Sequence, residues 1–251
     1  MWQFVRKILK RLVPCSIRLI YYNVNDKISK KNNGNKTSFE TVLENLKNRG
    51  IFVKTVIDIG ASDGRWSNKV MNVFSEAEYL LIEANKVHKN GLEKFKENNQ
   101  KIKYIIAAAG DKTGEIYFEG SDPFGGLAMH EKPQGKYSVV KAVTVDQCVH
   151  ENELSGPFLM KLDTHGFEVP IFTGAEKTLN DTNIIIVEVY NFKIAKDSLL
   201  FYEMCKYMGK NGFRCSGIIN VKNRMKDNFL WEMDMVFVRD TREEFTDNEF
   251  S

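Results

Sequence analysis

Short apolar runs alternate along the chain with stretches in which apolar residues recur every three or four positions. VKTVIDIG is an apolar-rich run that reads as a buried strand ending near Gly60. Trp66, Val70, Val73 and Phe74 then fall on one face of a helix. EYLLIEA predicts a second strand, followed by a helical stretch to about Asn98, and KIKYIIAAAG predicts a third strand. PFLMKLD is the fourth, followed by a helix through PIFTGAEKTL with Pro170 near its first turn. NIIIVEVY is the fifth, and a helix over Asp197 to Lys210 carries Leu200, Met204, Tyr207 and Met208 on one side. FRCSGII and EMDMVFVR are two further strands. Ahead of all these, Phe39, Val42, Leu43 and Leu46 share a helix face, and Gly50 suits the residue just past its end. No internal repeat is visible.

Strands alternating with helices define an α/β fold, a mostly parallel sheet covered by helices on both faces. Only NVKNRMKDNFLW separates the last two strands, too short for a helical crossover, so they are expected as an antiparallel pair at the sheet's end. Residues 115–150 form an insertion in which EIYFE and YSVVKAVTV read as additional strands. The turn-rich piece between them suits a lid or substrate loop. Three segments follow: residues 1–50 with a basic helix, a polar linker over Asn25 to Lys36 and the leading helix; a domain over 51–240; and a polar tail over 241–251.

Composition narrows the class. The chain has 251 residues, enough for one sizeable core. Charged residues make up 27% and hydrophobic ones 43%, an ordinary soluble balance. A net charge of +3 argues for no nucleic-acid partner, since outside the N-terminus the basic residues are largely matched by acids. Cys15, Cys148, Cys205 and Cys215 are scattered without a CxxC pair, which fits a reducing, cytoplasmic setting and neither a disulfide framework nor a zinc site. No apolar run is long enough to span a membrane. In residues 1–22, Val5, Ile8, Leu9 and Leu12 lie at helical spacing with Arg6, Lys7, Lys10 and Arg11 between them. That pattern is not a signal peptide. It suits a helix lying on the inner face of the cell membrane, or one packed on its own domain or a second copy.

Ligands of open parallel sheets bind beyond the carboxyl ends of the strands. Asp58 ends the first strand, Glu83 the second, Ala107 to Gly110 the third and Asp163 the fourth, with Glu188 near the end of the fifth. Glu83 is placed to accept hydrogen bonds from ribose hydroxyls, so a nucleoside is expected. The loop Gly60-Ala61-Ser62-Asp63-Gly64 has two glycines where a dinucleotide turn has three, and Asp58 and Asp63 would repel a close phosphate. A cationic, phosphate-free nucleoside such as S-adenosylmethionine suits them. Otherwise Asp58 caps the turn and Asp63 the following helix. Asp163 and His165 follow the fourth strand at the same end, and His165 is the best-placed base by residue type. Lys161 shares a strand face with Asp163. Glu168 and Glu188 could contact substrate hydroxyls. Asp163, Glu188 and a water could form a magnesium-type site, but nothing in the spacing fixes a divalent cation. His130 is another candidate, in the insertion, and Trp66 reads as a helix-packing residue.

VIDIGASDGRWS, YLLIEAN, IIAAAGDKTGEIYF, FLMKLDTHGFEVPIFTGAEKTL, IIIVEVY and MDMVFV, in that order over roughly residues 50 to 240, resemble the FkbM family of S-adenosylmethionine-dependent methyltransferases. The most specific part is KLDTHGFEVPIFTGAEKTL, similar to that family's K-x-D-x-x-G-x-E segment. His165 stands where the family more often carries Glu or Gln. The resemblance implies a Rossmann-like class I sheet of seven strands with one antiparallel. It also implies O-methylation of a small-molecule or glycan acceptor, such as a sugar hydroxyl. It places Gly60, Ala61 and Gly64 against the methionine part of S-adenosylmethionine and Asp58 or Asp63 at its ammonium. Glu83 falls at the ribose, and Ala107, Ala108 and Asp111 at the adenine. The competing readings are a non-catalytic membrane-surface or scaffold protein on this fold, and an NAD-dependent oxidoreductase.

Overall fold

The structure, a computed structural model, describes residues 38–249. The expected basic helix and the whole of the polar linker lie outside them. The first described element is helix α1 (Phe39–Asn48), capped by the Ser38 hydroxyl, which accepts from Thr41 N at 3.2 Å. Then come β1 (Thr55–Ile59), α2 (Arg65–Val70), β2 (Glu78–Glu83), α3 (Lys89–Glu97), β3 (Ile102–Ile106) and the short β4 (Ala108–Ala109). The insertion supplies β5 (Gly114–Glu119), β6 (Leu127–Met129) and β7 (Ser138–Val143), and α4 (Val145–Glu151) leads to β8 (Phe158–Leu162). Helices α5 (Glu168–Thr173) and α6 (Glu176–Asn180), strand β9 (Thr182–Tyr190), α7 (Phe201–Lys210), β10 (Phe213–Asn223) and β11 (Leu230–Arg239) complete the order.

Seven strands form the main sheet in the order β10-β11-β9-β8-β1-β2-β3. All contacts from β9 to β3 are parallel, while β11 runs antiparallel to both β9 and β10. This is the expected seven-stranded sheet with one reversed strand. Every residue of β1 and β8 is buried, as befits central strands covered on both faces.

Alternation along the strands sorts the core into two layers. Val56, Leu81, Leu159, Ile184 and Val236 pack under α1, α2 and α3. Ile57, Ile59, Ile82, Met160, Val187 and Met235 pack on the other side, with α4, α5, α6, α7 and the insertion. Trp66 belongs to the first layer, stacked on Phe39 with ring centroids 6.0 Å apart, a packing residue as expected. In the tail, Phe245 packs against the same layer.

Two expected elements divide. KIKYIIAAAG leaves the main sheet after Ile106, because Ala108 and Ala109 pair with β7 in a second, four-stranded sheet of order β4-β7-β5-β6. The Ala107 amide still bonds Glu83 O at 2.9 Å, so Ala107 is the crossing point between sheets. The helix through PIFTGAEKTL breaks into α5 and α6 at Gly174, where a side chain would collide with the Gly110 carbonyl. Likewise α7 starts at Phe201 and not at Asp197, because Ala195 and Ser198 close a turn and Glu203 accepts from Leu200 N at 2.8 Å.

Candidate active site at the carboxyl end of the sheet

The strand order reverses between β2-β1 and β8-β9, and the main cavity opens there, beyond the carboxyl ends of these strands. Together with the open solvent at its mouth, this space measures about 690 Å³. Gly60 and Ser62 form its floor, with Glu83 and Asn85 on one side and Asp163, Thr164 and His165 on the other. Ala107, Ala108 and Phe167 add an apolar wall, and the insertion closes over it with Phe118, Pro123 and Phe124. Of the described lining residues, none is Lys or Arg and two are carboxylates, Glu83 and Asp163.

Gly60 is required by the geometry. Its φ is +76°, and a side chain would strike the Asp163 carbonyl. The loops after β1 and β8 are thereby drawn together, with Asp163 N donating to Ile59 O at 3.0 Å. Glu83 is 7% exposed and organises its surroundings: Oε2 accepts from Ser62 N at 2.7 Å and Oε1 from Asn85 N at 2.6 Å. Burial pushes its carboxyl above the ordinary range, against those two hydrogen bonds. A carboxylate has about four acceptor sites, so further donors can still be received.

The two aspartates of the first loop lie elsewhere. Asp58 points to the α1–α3 side of the sheet, by alternation with Ile57 and Ile59, and is fully buried. It accepts from Ser67 Oγ at 2.7 Å and pairs with Lys161 Nζ at 3.5 Å, and burial raises its pKa. Asp63 is clasped by Arg65, which donates from Nε and Nη2 at 2.8 Å each. Burial opposes the charge of Asp63, yet Arg65 holds its carboxyl below the usual range. The Arg65 guanidinium lies 4.8 Å over the Phe124 ring, so this pair braces the cavity roof. Ala61, Gly64 and Asp111 do not line the cavity either; Gly64 packs near Phe95, and Asp111 pairs with His130 at 3.2 Å. The His130 ring contacts Phe167 at 5.2 Å, which couples this pair to the cavity wall.

Asp163, His165 and Glu188 do come together, all within 4.8 Å of one another. His165 Nε2 lies 3.8 Å from Asp163 Oδ1 and 3.7 Å from Glu188 Oε1. His165 adopts φ +56°, a left-handed conformation that costs a residue with a side chain free energy. Glu168, buried beneath the loop, accepts from Gly166 N at 2.8 Å and Thr164 Oγ at 3.1 Å and so fixes this turn. Its carboxyl is raised by burial. Lys161 Nζ donates to Asp163 Oδ2 at 3.1 Å. Burial works against both charges, but the mutual attraction prevails, leaving Lys161 above and Asp163 below its ordinary pKa. Glu188 is driven well above its usual value by burial and by Asp163, Glu232 and Asp234, despite a hydrogen bond from Tyr190.

Glu232, Asp234 and Tyr190 are absent from the sequence reading. Their signal is alternation: Glu188 pairs across β9–β11 with Asp234, and Glu232 with Tyr190. In EMDMVFV a charge recurs at every second residue between buried methionines. Asn85 and Phe124 come from segments without a periodic signature, and Phe118 lies on the expected strand EIYFE, whose alternation does not tell that it covers the cavity.

A class I methyltransferase sheet with its cavity at the strand reversal defines the class of protein. The chain belongs to the Methyltransferase FkbM domain family, which matches residues 58–215, well over half of it. It is similar to the hexuronic acid methyltransferase AglP of Haloferax volcanii, 28% identical over 78 residues, 31% of this chain and 32% of that protein. The crystal structure of an FkbM methyltransferase from Methylobacillus flagellatus aligns with a TM-score of 0.47 at 15% identity, over 77% of this chain and 47% of that one. An S-adenosylmethionine-dependent methyltransferase from Clostridium acetobutylicum aligns with a TM-score of 0.48 at 7% identity, over 87% and 97%. The match thus spans about a third of AglP and under half of the Methylobacillus protein. Among the described residues no helix is long and apolar enough to cross a membrane.

Proposed function

We propose that the protein is an S-adenosylmethionine-dependent O-methyltransferase acting on a hydroxyl of a sugar or glycan precursor. The observation that carries this reading is the charge of the cavity: two carboxylates face it and no Lys or Arg among the described residues. A pyrophosphate would find no cation there, whereas a sulfonium and an ammonium would be drawn in. The residues fit the cofactor. Gly60 leaves its floor bare, Glu83 offers acceptors for ribose hydroxyls, and Ala107 and Ala108 leave a flat wall against which an adenine can lie. When bound, S-adenosylmethionine supplies an electrophilic methyl on sulfur.

The chain's own part is to hold the acceptor hydroxyl and manage its proton. Asp163, His165 and Glu188 form the catalytic group in this reading: Asp163 and His165 line the cavity opposite Glu83, and Glu188, which does not line it, lies within 4.8 Å of both. Correct placement of the hydroxyl supplies much of the rate in a displacement of this kind. The sugar acceptor takes support from the hexuronic acid methyltransferase among the similar proteins. Residues 51–240 make the catalytic domain, with 115–150 as the lid that selects the acceptor. Activity is expected in the cytoplasm, with residues 1–22 bringing the enzyme to a lipid-linked acceptor.

Calorimetric titration with S-adenosylhomocysteine and, in parallel, NAD tests the cofactor. Micromolar binding of the first and none of the second is expected. Binding of NAD alone would sink the proposal. Tight homocysteine-compound binding without turnover on any sugar acceptor would favour a scaffold protein on this fold.

A further inference from the structure

We infer that Asp163, His165 and Glu188 form a binding site for one divalent cation of the manganese type, which holds two adjacent oxygens of the acceptor. The inference rests on the methyltransferase reading of the same cavity. Two carboxylates and one imidazole, supplied by the β8–α5 loop and β9, present ligand atoms within 4.8 Å of one another. The distances from His165 Nε2, 3.7 and 3.8 Å, are too long for hydrogen bonds. Donors lying about 2.0–2.2 Å from one ion stand roughly 3–4.4 Å apart, which includes both values. The imidazole nitrogen is thus placed between two carboxylate oxygens without bonding to either.

Both carboxylates are also held by a second partner. Lys161 donates to Asp163 Oδ2, leaving Oδ1 toward His165, and the Tyr190 hydroxyl donates to Glu188 Oε1, the same oxygen that faces His165. Metal-ligating carboxylates are ordinarily oriented in this way. Glu168 fixes the turn that presents His165. The surroundings are short of positive charge: Asp58, Asp163, Glu188, Glu232 and Asp234 face Lys161 and Lys222. A divalent ion offsets most of that excess. One nitrogen and two oxygens suit manganese better than magnesium, whose sites favour oxygen alone. Three protein ligands leave positions open, enough for a vicinal diol such as a sugar ring carries. An acceptor of that class would be gripped at two oxygens, and the bound hydroxyl would be acidified by the ion.

The test is titration of the metal-stripped full chain with MnCl2, read by calorimetry and by electron paramagnetic resonance, with S-adenosylhomocysteine binding measured on the same sample. One Mn²⁺ per chain is expected at micromolar affinity. His165→Ala and Glu188→Gln should each weaken it at least tenfold, and Tyr190→Phe about 10–100-fold, with folding checked by circular dichroism. A protein that binds S-adenosylhomocysteine but no Mn²⁺ at millimolar concentration overturns the metal site and leaves the methyltransferase reading standing. Binding of Mn²⁺ unaffected by His165→Ala and Tyr190→Phe, in folded variants, also overturns it. A protein that binds Mn²⁺ at these residues but no S-adenosylhomocysteine supports the site and counts against the methyltransferase reading.

Discussion

Glu83 serves two purposes, and its substitutions separate them. Its oxygens take the amides of Ser62 and Asn85, which fixes the loops on either side of the cavity, and the same carboxylate faces the space where a ribose would lie. Glu83→Ala removes both, so S-adenosylhomocysteine binding should weaken by about 1–3 kcal/mol and the melting temperature should fall. Glu83→Gln keeps an acceptor oxygen and a similar shape, so it should recover most of the stability but less of the affinity. Calorimetry and thermal melts on the two variants check this. Equal affinity for wild type and Glu83→Ala would move the ribose elsewhere. Residue type and strand position made Glu83 legible from sequence. The same logic failed to foresee the surroundings of Asp58 and Asp63, because their partners lie on other elements or across a turn. Lys161 reaches Asp58 only through the β1–β8 register, and Arg65 folds back onto Asp63.

Elements show the same division between local and non-local causes. Apolar-rich runs marked the central parallel strands, since burial on both faces writes itself into consecutive residues. The transfer of Ala108 and Ala109 to the second sheet was not legible, because it depends on β7, some thirty residues later. Nor was the approach of the loops after β1 and β8, which the glycine at position 60 permits. Two glycines with nearly equal backbone angles distinguish strain from collision there. Gly60 has φ +76° and Gly50 φ +79°, but an added side chain at Gly50 meets nothing within 4 Å. Gly50→Ala should therefore cost about 1–2 kcal/mol, the left-handed penalty alone, and leave ligand affinity intact. Gly60→Ala should cost more, because the Asp163 carbonyl must move, and should weaken S-adenosylhomocysteine binding along with stability. Urea denaturation and calorimetry on the pair test this. Equal losses would mean the two loops yield freely and do not fix the cavity floor.

At the scale of the whole molecule, the main sheet, parallel from β9 to β3 with β11 reversed, carries charged groups into its own interior, and that has a consequence for pH. Sequence alternation gave the sheet and located its ligand-binding end, but the row of charges from Asp58 through Lys161 and Glu188 to Asp234 exists only once four strands are in register. Burial raises the carboxyls of Asp58, Glu83, Glu168 and Asp234 above their unfolded values. Between the unfolded and folded pKa of such a group the native state binds more protons than the unfolded chain, so stability declines as pH rises through that window. Asp63 is depressed by Arg65 and acts in the opposite sense: its contribution is present above the unfolded carboxylate pKa and is lost as pH falls through its folded value. Glu188 is raised as well, and Asp163 is lowered by Lys161; the other lowered carboxyls, Glu76, Glu131, Glu203, Asp227 and Glu244, lie at the surface and are screened by solvent. Five raised groups against Asp63 and Asp163 predict that the melting temperature rises as pH is lowered from neutral toward about 5, by roughly 2–4 °C for each kcal/mol gained. Below the ordinary carboxylate range, near pH 4, the trend should turn over as Asp63 protonates. Scanning melts across this range at constant ionic strength decide it. A monotonic fall in melting temperature from pH 7 downward would mean that the buried carboxyls are ionised at little cost, with the neighbouring lysines and backbone amides offsetting their burial in full.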